Sequence, residues 1–121
     1  MSITIVIPVY NEEKRVTSTL KSISAYLSRK GISCEIIIVD DGSTDNTVKV
    51  IKDIYPLISI LNLVQNSGKG KAVREGMLKG KGDYLLFMDA DSSTPIEEFE
   101  KFLPVIKQHK DIIIGSRKVL G

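Results

Sequence analysis

Five short apolar runs, each followed by a cluster of polar residues, constrain this chain more than any other feature. They are Ile3 to Pro8, Glu35 to Val39, Ile58 to Val64, Tyr84 to Met88 and Ile112 to Ile114. Runs of this length, rich in β-branched residues and lacking polar alternation, suit parallel strands buried on both faces. Between them the spacing changes to the helical period. Val16, Leu20, Ile23 and Leu27 fall on one face, and Val48, Ile51 and Tyr55 on another. Ala72, Val73, Gly76, Met77 and Gly80 give a weaker helix, and Phe99, Phe102, Leu103 and Ile106 a fourth.

The punctuation agrees. Asn11 reads as the N-cap of the first helix, Gly31 ends it, and Pro56 stops the second. Gln65 to Gly70 reads as a loop. Thr94-Pro95-Ile96-Glu97 combines a Thr N-cap, Pro at the first helical position and Glu two residues later. The order βαβαβαβαβ predicts an α/β fold, a Rossmann-like and mostly parallel sheet with helices on both faces.

At 121 residues the chain is expected to be one domain, 1–121. Its 42% hydrophobic and 26% charged residues are ordinary for a soluble globular protein. A net charge of +2 is too small to argue for nucleic acid or an anionic membrane. The single Cys34 excludes an intrachain disulfide and fits a reducing compartment, and the single His109 excludes a His-rich metal site. Cys34 and His109 read as structural or solvent-facing. No apolar run approaches the ~20 residues of a membrane span, and no basic segment precedes the first strand. The chain stops at Val119-Leu120-Gly121 just after a strand, without a closing element, so we expect a truncated part of a larger domain.

In an open α/β sheet, ligands bind outside the carboxyl ends of the strands. Strand one here leads into Tyr10, Asn11 and Glu12, and strand two into Asp40 and Asp41. Asn66, Gly68, Lys69 and Gly70 lie in the third connection; Asp89, Ala90 and Asp91 follow strand four; Ser116 and Arg117 follow strand five. Two carboxylates flanking a small residue at a strand end suit a hard divalent cation that bridges to phosphate. Asp41 can accept hydrogen bonds from a ribose or base, while Ser43 and Asp45 are expected to cap the second helix. Lys69, Lys71 and Arg74 can neutralise phosphate, although the P-loop pattern is missing. Arg117 is suited to bidentate phosphate contact. A helix N-terminus beside the Tyr10 ring favours an anion and a stacked base.

Together the segments Val6-Ile7-Pro8-Val9-Tyr10-Asn11-Glu12, Val39-Asp40-Asp41-Gly42-Ser43-Thr44-Asp45, Asn66-Ser67-Gly68-Lys69-Gly70 and Met88-Asp89-Ala90-Asp91 resemble the ordered motifs of family 2 glycosyltransferases with the GT-A fold. Ser93-Thr94-Pro95 and Gly115-Ser116-Arg117 resemble the branch that makes dolichyl- or polyprenyl-phosphate sugars. The resemblance implies a nucleotide-sugar donor, UDP-glucose ahead of GDP-mannose because Ser93 stands where the mannose branch often has Gln. It implies a polyprenyl or dolichyl phosphate acceptor, and it leaves a homo-oligomer open. Pro8, Tyr10, Asn11, Glu12, Val39, Asp41, Lys69 and Ala72 would line the donor pocket, with Ala90 beside it. Asp89 and Asp91 would carry Mg²⁺ or Mn²⁺, and Arg117 would approach the diphosphate, which makes Asp91 and Arg117 the catalytic pair. Transfer would invert the anomeric centre, at the cytoplasmic face of a membrane in the full-length protein. Domains of this family run to about 200 residues or more, so this chain would be the donor-binding part and inactive alone if the acceptor half is needed.

Other readings fit less well. A sugar nucleotidyltransferase needs a Gly-rich basic loop after strand one, where this chain has Tyr10-Asn11-Glu12. A receiver-like signalling module needs an acidic pair there and a phosphoacceptor Asp after strand three, where Gln65-Asn66 stand. A nucleotide-binding domain without turnover has the same sequence signature as the enzyme half.

Overall fold

A computed structural model describes residues 3–82, 84–88 and 112–114. The elements are β1 (Ile3–Val9), α1 (Val16–Lys30), β2 (Cys34–Asp40), α2 (Thr47–Ile54), β3 (Ser59–Asn62), α3 (Lys69–Lys79), β4 (Tyr84–Phe87) and β5 (Ile112–Ile114). The strands form one sheet in the order β3-β2-β1-β4-β5, and every neighbouring pair is parallel. The fourth expected helix, from Thr94 to Ile106, lies outside the described residues.

β1 sits at the centre and, Thr4 apart, is apolar along its buried length because both of its faces are covered. Ile3, Ile5, Ile7 and Val9 pack with Val16, Leu20, Ile23, Tyr26 and Leu27 of α1 and Ile51 of α2. Val6, one step out of phase, packs on the opposite face with Ile37 and Val39 of β2 and Ala72 of α3. The period-two alternation of a strand therefore divides β1 between two cores, α1 and α2 on one side and α3 on the other.

Pro8 lies inside β1, and the hydrogen-bond pattern explains why it is tolerated. In a parallel strand alternate residues face alternate neighbours: Val9 O accepts from Asp41 N on the β2 side, and Val6 O accepts from Met88 N on the β4 side. Pro8 shares the side of Val6, but the register with β4 ends at Val6↔Phe87. The missing N–H thus falls beyond the end of the ladder, where it removes no bond.

α3 approaches the sheet closely at Gly76. A Cβ there would run into Val6 Cγ1 and would stand 2.7 Å from Val39 Cγ2. At the amino ends of the strands, buried Thr4 closes the turn before β4. Its Oγ1 donates to Glu35 Oε1 (2.7 Å) and accepts from Gly82 N (2.9 Å), while Lys81 N donates to the same Glu35 oxygen (2.9 Å).

Three expectations need correction. The first helix does not begin behind Asn11; α1 starts at Val16, after a turn in which Arg15 N and Val16 N both donate to Glu12 O. Asn11 has a left-handed backbone, φ 52°, which is incompatible with a helix start there. β3 covers only Ser59–Asn62 of the run from Ile58 to Val64, because its partner β2 ends at Asp40, opposite Asn62, and the solvent-exposed Val64 lies beyond the pairing. Lys69 and Gly70 belong to the first turn of α3 rather than to a loop.

Gly76→Ala tests the close approach of α3. On an open helix the change would stabilise by up to ~1 kcal/mol, whereas overpacking a tight contact costs about 1–3 kcal/mol. We expect net destabilisation, seen as a lower urea midpoint; a midpoint that is unchanged or higher would refute the close packing.

Candidate active site

The strand order places the first candidate site by topology. From central β1 the chain runs outward through β2 and β3, then returns to the other side of β1 for β4 and β5. The reversal lies between β1 and β4, and a crevice opens at the carboxyl ends of such a strand pair. Met88 N donates to Val6 O at 3.0 Å, so the chain emerges from β4 at this edge, and Asp89 is the next residue. Asp89, Ala90, Asp91 and Arg117 lie outside the described residues.

The segments that follow β1, β2 and β3 are connected by side chains that serve backbone amides. Asp41, only 4% exposed, accepts from Ser67 N (2.8 Å) through Oδ1 and from Gly68 N (2.9 Å) through Oδ2. Its carboxylate holds the loop before α3 against the end of β2. Gly42 enters the same corner with φ 79°, and a Cβ there would stand 2.7 Å from Asn66 N. Lys69, in the first turn of α3, puts its ammonium 5.3 Å from the ring centre of Phe87, the last residue of β4. That is cation–π range, and it draws a positive charge toward the strand end that Asp89 follows.

The remaining expected pocket residues divide by burial. Tyr10 is 44% exposed and its ring is available to a ligand. Pro8 is half-buried. Val39 and Ala72 are fully buried and pack with Val6 and Ile37, so they shape the floor beneath α3 rather than its surface. Glu12 pairs through Oε1 with Arg15 Nη2 at 2.7 Å, and its buried Oε2 has no hydrogen-bond partner among the described residues. An unpartnered buried carboxylate oxygen is costly unless a donor meets it.

The sequence did not single out Thr47, and it assigned Ser43 the wrong partner. Ser43 Oγ accepts from Asn11 N (2.9 Å) across the loops instead of capping α2. Thr47, fully buried, accepts from Glu12 N (2.9 Å) and also bonds Asp45 Oδ1. The N-cap of α2 is Asn46 rather than the expected Asp45; Asp45, one residue earlier, accepts from Thr47 N (2.9 Å), and its other oxygen accepts from Glu13 N (3.3 Å). Capping chemistry was legible in Asp-Gly-Ser-Thr-Asp; that it serves a loop more than 30 positions away was not.

No group of three or more His, Cys, Asp or Glu able to hold a metal occurs among the described residues. A cavity of about 560 Å³ opens at the opposite end of the sheet, between Cys34 and Ser59 at the starts of β2 and β3, with Tyr55 and Leu57 on its wall. It is remote from the polar strand ends. Burial pushes the Cys34 thiol up to about 11, so it is protonated and unreactive at neutral pH.

Residues 4–120 match the family described as Glycosyl transferase family 2. This chain belongs to that family. It is 41% identical over 127 residues to a dolichyl-phosphate beta-glucosyltransferase of Trichomonas vaginalis, with 94% of this chain and 38% of the relative covered. The fold is similar to that of S. aureus TarS 1–349 in complex with UDP-GlcNAc, with a TM-score of 0.72 and 28% identity over 90% of this chain and 32% of the other. It is also similar to glucosyl-3-phosphoglycerate synthase from Mycobacterium tuberculosis in complex with Mn²⁺, UDP and phosphoglyceric acid. There the TM-score is 0.59 and the identity 31%, over 74% of this chain and 32% of the other. The chain thus spans about two fifths or less of the length of these relatives. The expected α/β fold, parallel with helices on both faces and GT-A-like, is the one observed.

Two outcomes follow from the geometry. Asp41→Asn should cost about 1–3 kcal/mol in denaturant unfolding, because Ser67 N and Gly68 N donate to different carboxylate oxygens and the NH2 group that replaces one of them cannot accept; a wild-type midpoint would show that the carboxylate does not hold the loop. Asp45 lies below its ordinary value of 3.8: burial would raise it, but the hydrogen bonds from the Thr47 hydroxyl, Thr47 N and Glu13 N outweigh that. As pH falls past 3.8 the unfolded chain takes up the proton before the folded one, so stability present above that pH is lost below it. Asp45→Asn should flatten the acid limb of a stability–pH curve, and an unchanged slope would contradict the assignment.

Proposed function

We propose that this chain is the donor-binding part of an inverting, metal-dependent glycosyltransferase that passes glucose from UDP-glucose to a polyprenyl or dolichyl phosphate. The observation that carries the reading is the Met88 N to Val6 O bond at the strand reversal. It brings the chain to the edge where Tyr10 and Glu12 stand, with Asp89-Ala90-Asp91 next in sequence. Support for the acceptor class comes from the dolichyl-phosphate beta-glucosyltransferase relative. Support for a metal comes from the Mn²⁺ and UDP of the glucosyl-3-phosphoglycerate synthase complex, and from the donor set, since two carboxylates and no soft ligand suit Mg²⁺ or Mn²⁺.

In this reading Tyr10 stacks on the base. Glu12 Oε2 and the remaining lone pairs of Asp41 accept hydrogen bonds from base or ribose. Pro8, Val39 and Ala72 give the pocket its floor. Lys69 and Arg117 neutralise the diphosphate, and Asp89 and Asp91, separated by the small Ala90, hold the metal. A divalent ion there supplies positive charge to the diphosphate as it departs. The acceptor phosphate oxygen forms the new bond to C1 of the sugar as the bond from C1 to the diphosphate oxygen breaks, which inverts the anomeric centre. A phosphate oxygen is already ionised near neutral pH, so the chain needs no dedicated general base.

No helix among the described residues is long and apolar enough to cross a membrane. The reading nonetheless puts transfer at the cytoplasmic face of the membrane that carries such an acceptor.

Calorimetric titration with UDP and GDP, each with and without Mn²⁺, tests the proposal. We expect UDP binding that requires Mn²⁺ and is abolished in Asp91→Asn while the circular dichroism spectrum is retained. Tighter binding of GDP would replace the glucosyl reading with a mannosyl one, and unchanged affinity in the variant would remove the metal assignment.

A further inference from the structure

Asn11 is the point at which two loops of the site edge meet. Its N–H donates to Ser43 Oγ (2.9 Å), and its side-chain Oδ1 accepts from Thr44 N (2.8 Å) and Asp45 N (3.2 Å). The next two residues continue the contact, Glu12 N donating to Thr47 Oγ1 (2.9 Å) and Glu13 N to Asp45 Oδ2 (3.3 Å). All of these bonds join the loop after β1 to the loop after β2 or to Thr47, the first residue of α2. No helix or sheet backbone serves the amides of residues 11–13, 44 and 45 here; side chains of the opposite loop and of Thr47 do, which answers the need of every backbone donor for a partner.

The backbone of Asn11 is adapted to this. At φ 52° its side chain turns across the gap, and Asn and Asp are the non-glycine residues that tolerate that conformation best. An amide oxygen has two lone pairs, and both are taken by Thr44 N and Asp45 N. β1 and β2 pair in register as far as Val9↔Asp40, and the last backbone bond between them is Asp41 N to Val9 O at 2.9 Å, so beyond Asp41 nothing in the ladder sets the distance between the loops. The residues that follow are Tyr10 on one loop and Asp41 on the other.

We infer that Asn11 is a positioning residue: it locks the loop after β1 to the loop after β2 through the amides of Thr44 and Asp45, and so presets the loop that carries Tyr10 against the already fixed Asp41 instead of contacting the nucleotide itself. The lock rests on the hydrogen bonds alone; its consequence for nucleotide affinity rests on the glycosyltransferase reading. Preset geometry raises affinity because the loops need not be ordered when the ligand arrives.

Two substitutions separate the possibilities in the full chain. Asn11→Asp keeps an acceptor oxygen and the left-handed preference. Asn11→Gly keeps only the backbone freedom. Amide hydrogen exchange, followed by NMR without nucleotide, reads the lock; titration with UDP and Mn²⁺ reads its consequence. We expect Asn11→Gly to accelerate exchange at Thr44 and Asp45 about tenfold and to weaken UDP by about tenfold, roughly the loss of one well-made bond. Asn11→Asp should stay within about threefold of wild type in both. Exchange at Thr44 and Asp45 that is the same in Asn11→Gly as in wild type overturns the lock. Asn11→Asp that keeps amide protection yet loses as much affinity as Asn11→Gly overturns the positioning role in favour of direct contact by the amide nitrogen. If wild type binds no UDP, the donor reading fails, and the exchange rates still decide the lock.

Discussion

The structure depends on β1 being satisfied on four sides at once. Its two edges pair with β2 and β4, and its two faces are covered by α1 with α2 and by α3. Because the first strand is also the central one, the chain must build outward on one side, return, and build on the other. The crevice at the carboxyl ends is a consequence of that route, not of any residue in it. Pro8 is compatible with the arrangement only because the β4 ladder stops before it.

At the crevice the polar strand ends perform structural tasks that precede any ligand. Two buried acids, Asp40 and Asp41, stand where the chain leaves β2, and each accepts from a backbone amide: Ser43 N on Asp40 Oδ1 at 3.2 Å, and Ser67 N and Gly68 N on Asp41. Loops outside a sheet have no ladder to pair their amides. Side-chain oxygens therefore take over. Acidic and hydroxyl residues at strand ends are thus required twice, once to hold the loops and once to meet a ligand.

Much of the architecture was legible because strands buried on both faces and amphipathic helices carry strong periodic signals. β5 and the core face of α1 match the apolar spacing directly, whereas on α2 Ile51 and Tyr55 do and Val50 rather than Val48 packs with them. The differences arise where neighbours, not local pattern, set the limits. Val64 is apolar but has no partner strand to extend into. Lys69 and Gly70 read as loop residues, yet Ala72 and Gly76 behind them pack against the sheet and carry the helix back to Lys69. Asn11 has the chemistry of a helix cap, but its oxygen bonds two amides of another loop.

The sequence by itself determined the alternation of strand and helix, the parallel sheet, the apolar division of β1, and the set of polar residues gathered at one edge. Each of these follows from side-chain chemistry at fixed spacing, which the backbone periods read directly. Only the tertiary structure decided the strand order that opens the crevice between β1 and β4, the burial of Val39 and Ala72, and the partners of Asn11, Asp41 and Thr47. A hydrogen-bonding group carries its capacity in the sequence, but its partner is whichever complementary group folding brings within about 3 Å. At this site those groups lie from 26 to 35 positions away along the chain.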